Sequence, residues 1–500
     1  MSFRARLART KALKTRKERP VHSSIFQRIS IITRGVVLVT FLCVMLARSF
    51  TWAEVANSTN SRFLLLDSRI VDRAENAKLT LGTVKKSEAN PLFGEDKPWE
   101  KRFDNFYGNV ILDTEDGLYK CWYSPFIVDY SAKGMTLEQR NKSYVPPKDN
   151  DRQMGICYAV SKDGIHWDKP NLGLVDYEGS KENNIIWRWP HGAGIFKDAH
   201  ETDPDRRYKA IFLSTSLVTS ASKDGLKWSP VAKMDGVNAR GDTHNNAFWA
   251  PTLNKYVAIT RTWGKMEGKA VRQVARTESD DFIHWSAAGV VMNGSTDTLQ
   301  TYAMPVFYHG GVYLGLVAIH DQSTDRVSTE LAWSPDTKEW HRIAEGTPLI
   351  PFSEIPLAYD YGCVYACATP VFLDNEIRLY YGGSDYKHGG WRNGCFCLAT
   401  LRPDGFAGYE PVLKNQPAVI TTRPIDYAGQ DLRISADVEK GGLITVNAVD
   451  SDGMVISKAQ PISETATDAS LKFHEPLKPG KIRLRFEIAD AKLYSFSFGK

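Results

Sequence analysis

The sequence predicts an all-β protein, a five-bladed β-propeller followed by a small C-terminal β-sandwich, and three observations carry that expectation. A short phrase recurs five times, as Ser161-Lys-Asp163-Gly-Ile-His-Trp167, Ser222-Lys-Asp224-Gly-Leu-Lys-Trp228, Ser279-Asp-Asp281-Phe-Ile-His-Trp285, Ser334-Pro-Asp336-Thr-Lys-Glu-Trp340 and a degenerate Arg402-Pro-Asp404-Gly-Phe406. Its aspartates stand 61, 57, 55 and 68 residues apart, the length of one four-stranded blade with its turns. Each repeat also carries two β-branched or aromatic runs around a polar turn, such as Ala247-Phe-Trp before Lys255-Tyr-Val-Ala-Ile259, which is a hairpin signal with no competing helical period.

The elements follow in chain order. A basic stretch through Arg34 precedes the apolar run Gly35 to Leu46, and Thr51-Trp-Ala53 offers small residues where a signal peptidase reads. A run of about twelve residues is short for a permanent span, so residues 1–53 are expected to be a cleaved signal peptide. An uncleaved signal anchor, and hence a membrane tether, is the alternative. Either way the rest is exported, starting with a leader segment over 54–94. The propeller is expected over 95–414, with a polar insertion at 129–153 inside the first blade. In each blade the first run is the innermost strand. Residues 415–500 hold short alternating strands, among them Leu432–Val438, Ile444–Val449, Ile482–Ile488 and Leu493–Phe498, separated by turns at Gly441-Gly442 and Asp452-Gly453. They read as the sandwich.

Composition narrows the function. The chain is 42% hydrophobic and 24% charged, a globular balance, and its formal charge is +5. The first 53 residues hold eleven Lys/Arg against the single acid Glu18, and the remainder has 52 basic and 57 acidic residues, a net charge of −5. Nucleic-acid binding therefore has no electrostatic footprint in the body of the protein. Cys43 falls in the signal, and the other six cysteines, at 121, 157, 363, 367, 395 and 397, lie in alternating apolar strand patterns. Buried thiols are expected there, with one or two disulfides or a soft metal site as the competing readings. No cofactor or metal is implied.

The repeated aspartates are turn formers: Ser and Asp side chains bond nearby amides, Gly supplies a positive φ, and Trp covers the blade's apolar layer. The phrase has one residue fewer between Asp and Trp than the Asp box of sialidases. Five blades, this phrase, a leading aromatic and acidic segment and a trailing sandwich resemble the propeller enzymes of glycoside hydrolase families 32 and 43. That resemblance covers the layout of residues 95–500 and implies acidic catalytic residues at the funnel mouth, one in the first blade and others in the second to fourth.

Carried over residue by residue, the resemblance is partial. Phe103-Asp104-Asn105-Phe-Tyr-Gly108-Asn109 is similar to the families' aromatic-Asn-Asp-Pro-Asn-Gly stretch in altered order. Asp104 becomes the candidate nucleophile or base, with Asn109, where strand counting puts the family aspartate, as its neighbour. Arg240-Gly-Asp242-Thr-His244-Asn-Asn246 resembles the families' Arg-Asp-Pro with a glycine inserted, making Asp242 the stabilising carboxylate and His244 a funnel residue. Where the families place a glutamate acid, this chain has Ala303-Met304-Pro305 after Gln300-Thr-Tyr302. Asp360, in Tyr359-Asp360-Tyr361-Gly362, or a displaced glutamate such as Glu278 or Glu330, is the candidate acid.

Glycosidic cleavage needs two carboxyls about 5 Å apart for retention, or roughly 6.5–9.5 Å apart for inversion. Asp104, Asp242 and Asp360 all precede inner strands, so the expectation is that they meet at one mouth. His191, Gln300, Tyr302, Arg261 and Trp263 are candidate substrate contacts. Trp189, Trp249 and Trp391 are further aromatic platforms, and Arg326 is a second forked donor. The function expected is an exported enzyme that hydrolyses a glycosidic bond of an oligo- or polysaccharide. The alternatives are a glycan-binding propeller without its acid and a phosphorolytic relative using Arg261 with His244.

Overall fold

The computed structural model describes residues 61–129, 134–140 and 152–499; the expected signal peptide, Cys43 and the start of the leader lie outside them. Helical structure among the described residues is confined to Leu137–Arg140, in the polar insertion, and the single turn Pro204–Arg206. None of it is long and apolar enough to cross a membrane.

Strand pairing builds largely antiparallel sheets of six, four, four and eleven strands in sequence order, and the last of these divides into a fourth and a fifth unit at the parallel bridge between Val327 and Cys363. The first has Asn109–Asp113, Leu118–Tyr123, Gln153–Ser161 and Trp167–Asp168. The second has His191–Lys197, Tyr208–Leu213, Leu217–Ser222 and Ala232–Lys233, and the third Asn246–Ala250, Lys255–Met266, Lys269–Ser279 and Gly289–Asn293. The fourth begins with Leu299–Ala303 and Val306–His309 and continues through Val312–Asp321, Arg326–Ser334 and His341–Ile343. The fifth begins with Cys363–Ala366 and Val371–Phe372 and continues through Ile377–Ser384 and Gly394–Leu401. Its outer edge comes from the leader: Lys85–Lys86 and Phe93–Gly94 pair with Gly394–Leu401.

Neighbouring units are bonded one to the next through residues in or beside their strands. Asn109 donates to Ala193 O at 2.8 Å and accepts from Ile195 N at 2.9 Å. Asn245 N donates to Gly192 O at 2.9 Å, and Asn246 Oδ1 accepts from Val306 N at 3.0 Å. Val327 pairs with Cys363, and Ala368 N donates to Gly108 O at 2.9 Å, which returns the series from the fifth unit to the first. The approach is close enough to require glycine at position 194, where a Cβ would lie 2.0 Å from Asn245 O.

The repeated phrases behave as their composition predicts. Ser161 Oγ accepts from Gly164 N at 2.8 Å, and Asp163 Oδ1 accepts from the amides of Ile165 and His166 at 2.8 Å each. The Ser222, Ser279 and Ser334 phrases repeat these bonds. The residue after the aspartate is left-handed in each, at φ 74° for Gly164 and Gly225, 64° for Phe282 and 67° for Thr337. The fifth phrase departs from the pattern: Asp404 accepts from Arg62, His309 and Ser495 and ties the last unit to the C-terminal sheet.

That sheet has ten strands and its own apolar core of Ile434, Val446, Leu484, Phe486 and Phe496 among others. The turn expected at Gly441-Gly442 is instead a register irregularity inside one strand, Leu432–Val449, and the two last expected strands are one, Gly480–Phe498. An extra residue in a long strand bends it and keeps the ladder running, so the glycines corner the strand without ending it. Ser61–Leu64, Val71–Glu75 and Ala77–Leu81 from the leader, and Ala407–Pro411, join this sheet. Cys121, Cys157, Cys363, Cys367, Cys395 and Cys397 are buried free thiols.

Candidate functional site

The loop Phe103–Gly108 opens the site. Phe103 and Phe106 are buried in an aromatic cluster with Phe93, Tyr123 and Phe396, Phe106 stacking on Tyr123 at 5.2 Å and on Phe396 at 4.9 Å. Tyr107 leaves for a separate cluster with Tyr302 and Tyr365. Alternating anchors of this kind demand a contorted backbone, and Asp104, Phe106 and Tyr107 all take left-handed φ, of 54°, 64° and 45°. Non-glycine residues there cost on the order of 1 kcal/mol each, and such strain gathers where a side chain must be aimed. Glu95 supports the loop by accepting from the amides of Phe103 at 2.7 Å and Gly394 at 2.9 Å. Its own burial pushes its pKa up to about 7.

Asp104 is set among cations. Arg392, itself fully buried, donates to Asp104 Oδ1 and at 3.1 Å to Asn105 Oδ1, and Arg102 lies 3.6 Å from the same carboxylate. Arg102 is held in turn by Asp129 at 2.8 Å. Burial alone would raise the Asp104 pKa, but Arg392 and Arg102 outweigh it and hold the group well below the usual carboxylate range. Asp104 is ionised.

The opposite side is assembled from the third unit. Asp242 Oδ2 accepts from Arg261, and Asp242 Oδ1 lies 2.9 Å from His191 Nε2. These partners outweigh partial burial and lower its pKa too, although the side chain is 57% exposed. Arg261 is buried, with its guanidinium carbon 5.2 Å from the Tyr302 ring centre and 5.6 Å from that of Trp263. Arg272, on the paired strand, stands at 5.3 Å and 5.0 Å from the same rings. Trp263 itself is 43% exposed.

Tyr107 and Tyr302 form a floor between the two sides. Asn105 Nδ2 donates to the Tyr107 hydroxyl at 2.7 Å and to that of Tyr302 at 3.1 Å. Burial, followed by the fields of Tyr302, Asp242 and Asp104, pushes the Tyr107 phenol well above its usual range, so both carboxylates act on one ring. His388 and His320 close the edge, His388 Nδ1 lying 3.1 Å from the Tyr365 hydroxyl and His320 Nε2 3.0 Å from Asp325.

The expected residues thus divide. Asp104, Asp242, His191, Arg261, Tyr302 and Trp263 border one site. Asn109 is a buried clamp between the first two units, its amide spent on backbone groups. His244 is buried under Tyr107, with Nε2 3.3 Å from Asn109 Oδ1, and burial lowers its pKa to about 3. Gln300 accepts from Arg272 at 3.0 Å and positions that guanidinium. Asp360 is a correction: it is fully buried against Lys86 at 2.6 Å and the Tyr381 hydroxyl at 3.0 Å, on the flank of the fifth unit. The leader strand that carries Lys86 supplies its countercharge, so it is unsuited to serve as the acid. Glu278 and Glu330 pair with Arg276 and Arg342 on later strands of their units. Trp249 is committed to a stack on His200, and Arg326 donates to the Tyr361 carbonyl at 2.9 Å.

Arg102, Arg272, Arg392, Asn105 and Tyr107 belong to the site without having been singled out. Asn105 and Tyr107 stood inside the Phe103–Asn109 stretch. The arginines lie far apart in sequence and match no motif.

No protein-family profile matches the chain, and no curated protein matches it. Solved structures do resemble it. An N-acetylgalactosamine deacetylase from F. plautii, in complex with blood group B trisaccharide, is 12% identical over 64% of this chain and 95% of its own, with a TM-score of 0.44. A β-1,2-mannobiose phosphorylase from Listeria innocua is 15% identical over 64% and 97%, with a TM-score of 0.45. A member of the GH130 family of mannoside phosphorylases, described with glycoside hydrolases that target β-1,2 mannosidic linkages in Candida mannan, is 16% identical over 64% and 94%, with a TM-score of 0.42.

Proposed function

We propose that the five units are the blades of one closed propeller, completed by the leader strands and followed by a β-sandwich, and that the exported protein cleaves a glycosidic bond over the Tyr107–Tyr302 floor. The observation that carries this reading is the placing of Asp104 and Asp242, ionised carboxylates from the first and third units, about one aromatic floor beside the exposed ring of Trp263. An aromatic face suits the apolar face of a sugar, and paired carboxyls suit hydrolysis. Asp104, kept ionised by Arg392 and Arg102, attacks the anomeric carbon as the glycosidic bond breaks, and water then releases the sugar from it. Asp242 stabilises positive charge developing at the anomeric carbon. Their ionised state fits both roles and bars either from giving a proton to the leaving oxygen. His191, at 2.9 Å from Asp242, is the side chain placed to do that.

The test is hydrolysis of a polysaccharide panel by the full-length protein and its Asp104→Asn, Asp242→Asn and His191→Phe variants. Wild-type turnover that falls at least a hundredfold in the first two is the expected outcome. Unchanged rates in both would show the site to be misassigned. A second reading, a glycan-binding propeller, draws on one specific observation: Asp360, the expected acid, is paired inside the fifth unit. It predicts saturable sugar binding with no product.

A further inference from the structure

The Trp263 side of the mouth holds more positive charge than its carboxylates match. Arg261 and Arg272 sit on paired strands, with Trp263 directly opposite Arg272 in the ladder. Their guanidiniums lie over the same two rings, Tyr302 and Trp263, at 5.0–5.6 Å. Against these two cations stands Asp242, which also serves His191. Arg272 makes no ion pair among the described residues, and its side-chain bond goes to the neutral amide oxygen of Gln300. Arg261 Nε and Nη1 and Arg272 Nε are buried without a hydrogen-bond partner. An unpartnered arginine Nε recurs elsewhere among the described residues, but here it comes with the unpartnered Nη1 of Arg261 and with an Arg272 that makes no ion pair, and buried charged donors left unpaired are costly enough to favour an acceptor at this place.

The acceptor's chemistry follows from the donors. A guanidinium is a planar fork that matches a carboxylate with two parallel bonds. Trp263 is exposed beside it and offers a flat apolar face of sugar-ring size. Building on the glycan-cleaving reading above, we infer that the substrate carries a uronic acid, whose ring lies on Trp263 and whose carboxylate is held by Arg272 with Arg261 behind it. The neutral sugars next to it are read elsewhere in the mouth.

Calorimetric titration of the full-length protein tests this, using tetragalacturonate and tetraglucuronate against the same tetrasaccharides with their carboxyls reduced to alcohols, and inorganic phosphate alone. One acidic tetrasaccharide is expected to bind at least tenfold more tightly than its reduced counterpart. The advantage shrinks as salt rises. Arg272→Gln is expected to abolish that advantage, so that the two forms bind alike, and Arg272→Lys to keep part of it. Equal affinity for the acidic and reduced forms in the wild type overturns the inference without touching the glycan-cleaving reading. Equal weakening of both by Arg272→Gln does the same. Arg272-dependent binding of phosphate alone also overturns it, by placing a free anion where the sugar carboxylate should sit. Binding of no sugar at all, with no turnover on the panel, defeats the broader reading and this inference with it.

Discussion

The two sides of the mouth present the same chemical pair, an aspartate and a buried arginine, in opposite settings. At Asp104 the chain surrounds the carboxylate: Arg392 and Arg102 meet it, Asp129 holds Arg102, Glu95 fastens the loop, and three left-handed residues aim it. At Asp242 the carboxylate is half in water, and Arg272 next to it makes no ion pair among the described residues. The closed side is finished by the protein's own groups. The open side has the one carboxylate of Asp242 beside two guanidiniums and an exposed Trp263, which is why the substrate's charge is assigned there.

The sharpest way to break this contrast is Asp104→Asn. Arg392 is fully buried and would lose its carboxylate partner, leaving a charge in the interior. Removing one member of a buried pair costs about 3 kcal/mol or more. A urea unfolding midpoint should fall accordingly, and a variant as stable as the wild type would mean that Asp104 is not integrated as described. The activity of this variant has to be read on protein shown to be folded.

Much of the framework was legible in the sequence because it repeats. The Ser-x-Asp phrases fix their turns through bonds within five residues, so composition alone predicts them. The first strands of the units and the change of texture after Pro411 were equally readable. What was not readable depends on partners distant in the chain. Lys86 reaches Asp360 from the leader, which turns an expected acid into a structural ion pair. Arg392 meets Asp104 across 288 positions, and no local pattern marks it. Asn109 fell where strand counting put the families' aspartate, yet its amide is consumed by Ala193 and Ile195. Gly441-Gly442 looked like a turn because glycine pairs usually are, and only pairing with Ala489 and its neighbours keeps the strand running.

A smaller effect probes the floor. His244 is buried, and its pKa of about 3 lies below that of an unfolded histidine, near 6.5. Because the folded value is the lower one, the unfolded chain binds the extra proton between those values, and stability falls as pH drops below about 6.5. The slope is on the order of 1 kcal/mol per pH unit for one buried histidine. Melting temperatures of the wild type and His244→Asn, measured from pH 7.5 to 4.5, should therefore converge as the pH falls. Parallel curves would show that His244 accepts a proton in place and that the floor is wetter than its burial indicates.

The smallest change in stability is expected on the open side. Asp242→Asn removes the carboxylate facing Arg261, which by the logic applied to Asp104 would be as damaging. Two features argue otherwise. The Asp242 side chain is 57% exposed, so water screens one end of the pair, although Arg261 at the other end is 3% exposed. Arg272 shows besides that this side tolerates a guanidinium that makes no ion pair among the described residues. The unfolding midpoint of Asp242→Asn should thus fall less than that of Asp104→Asn, while turnover falls at least a hundredfold and the affinity for an acidic tetrasaccharide rises as the surplus of positive charge grows. A loss as large as that of Asp104→Asn would remove the distinction between the two sides, and with it the reason for assigning the substrate's carboxylate to Arg272.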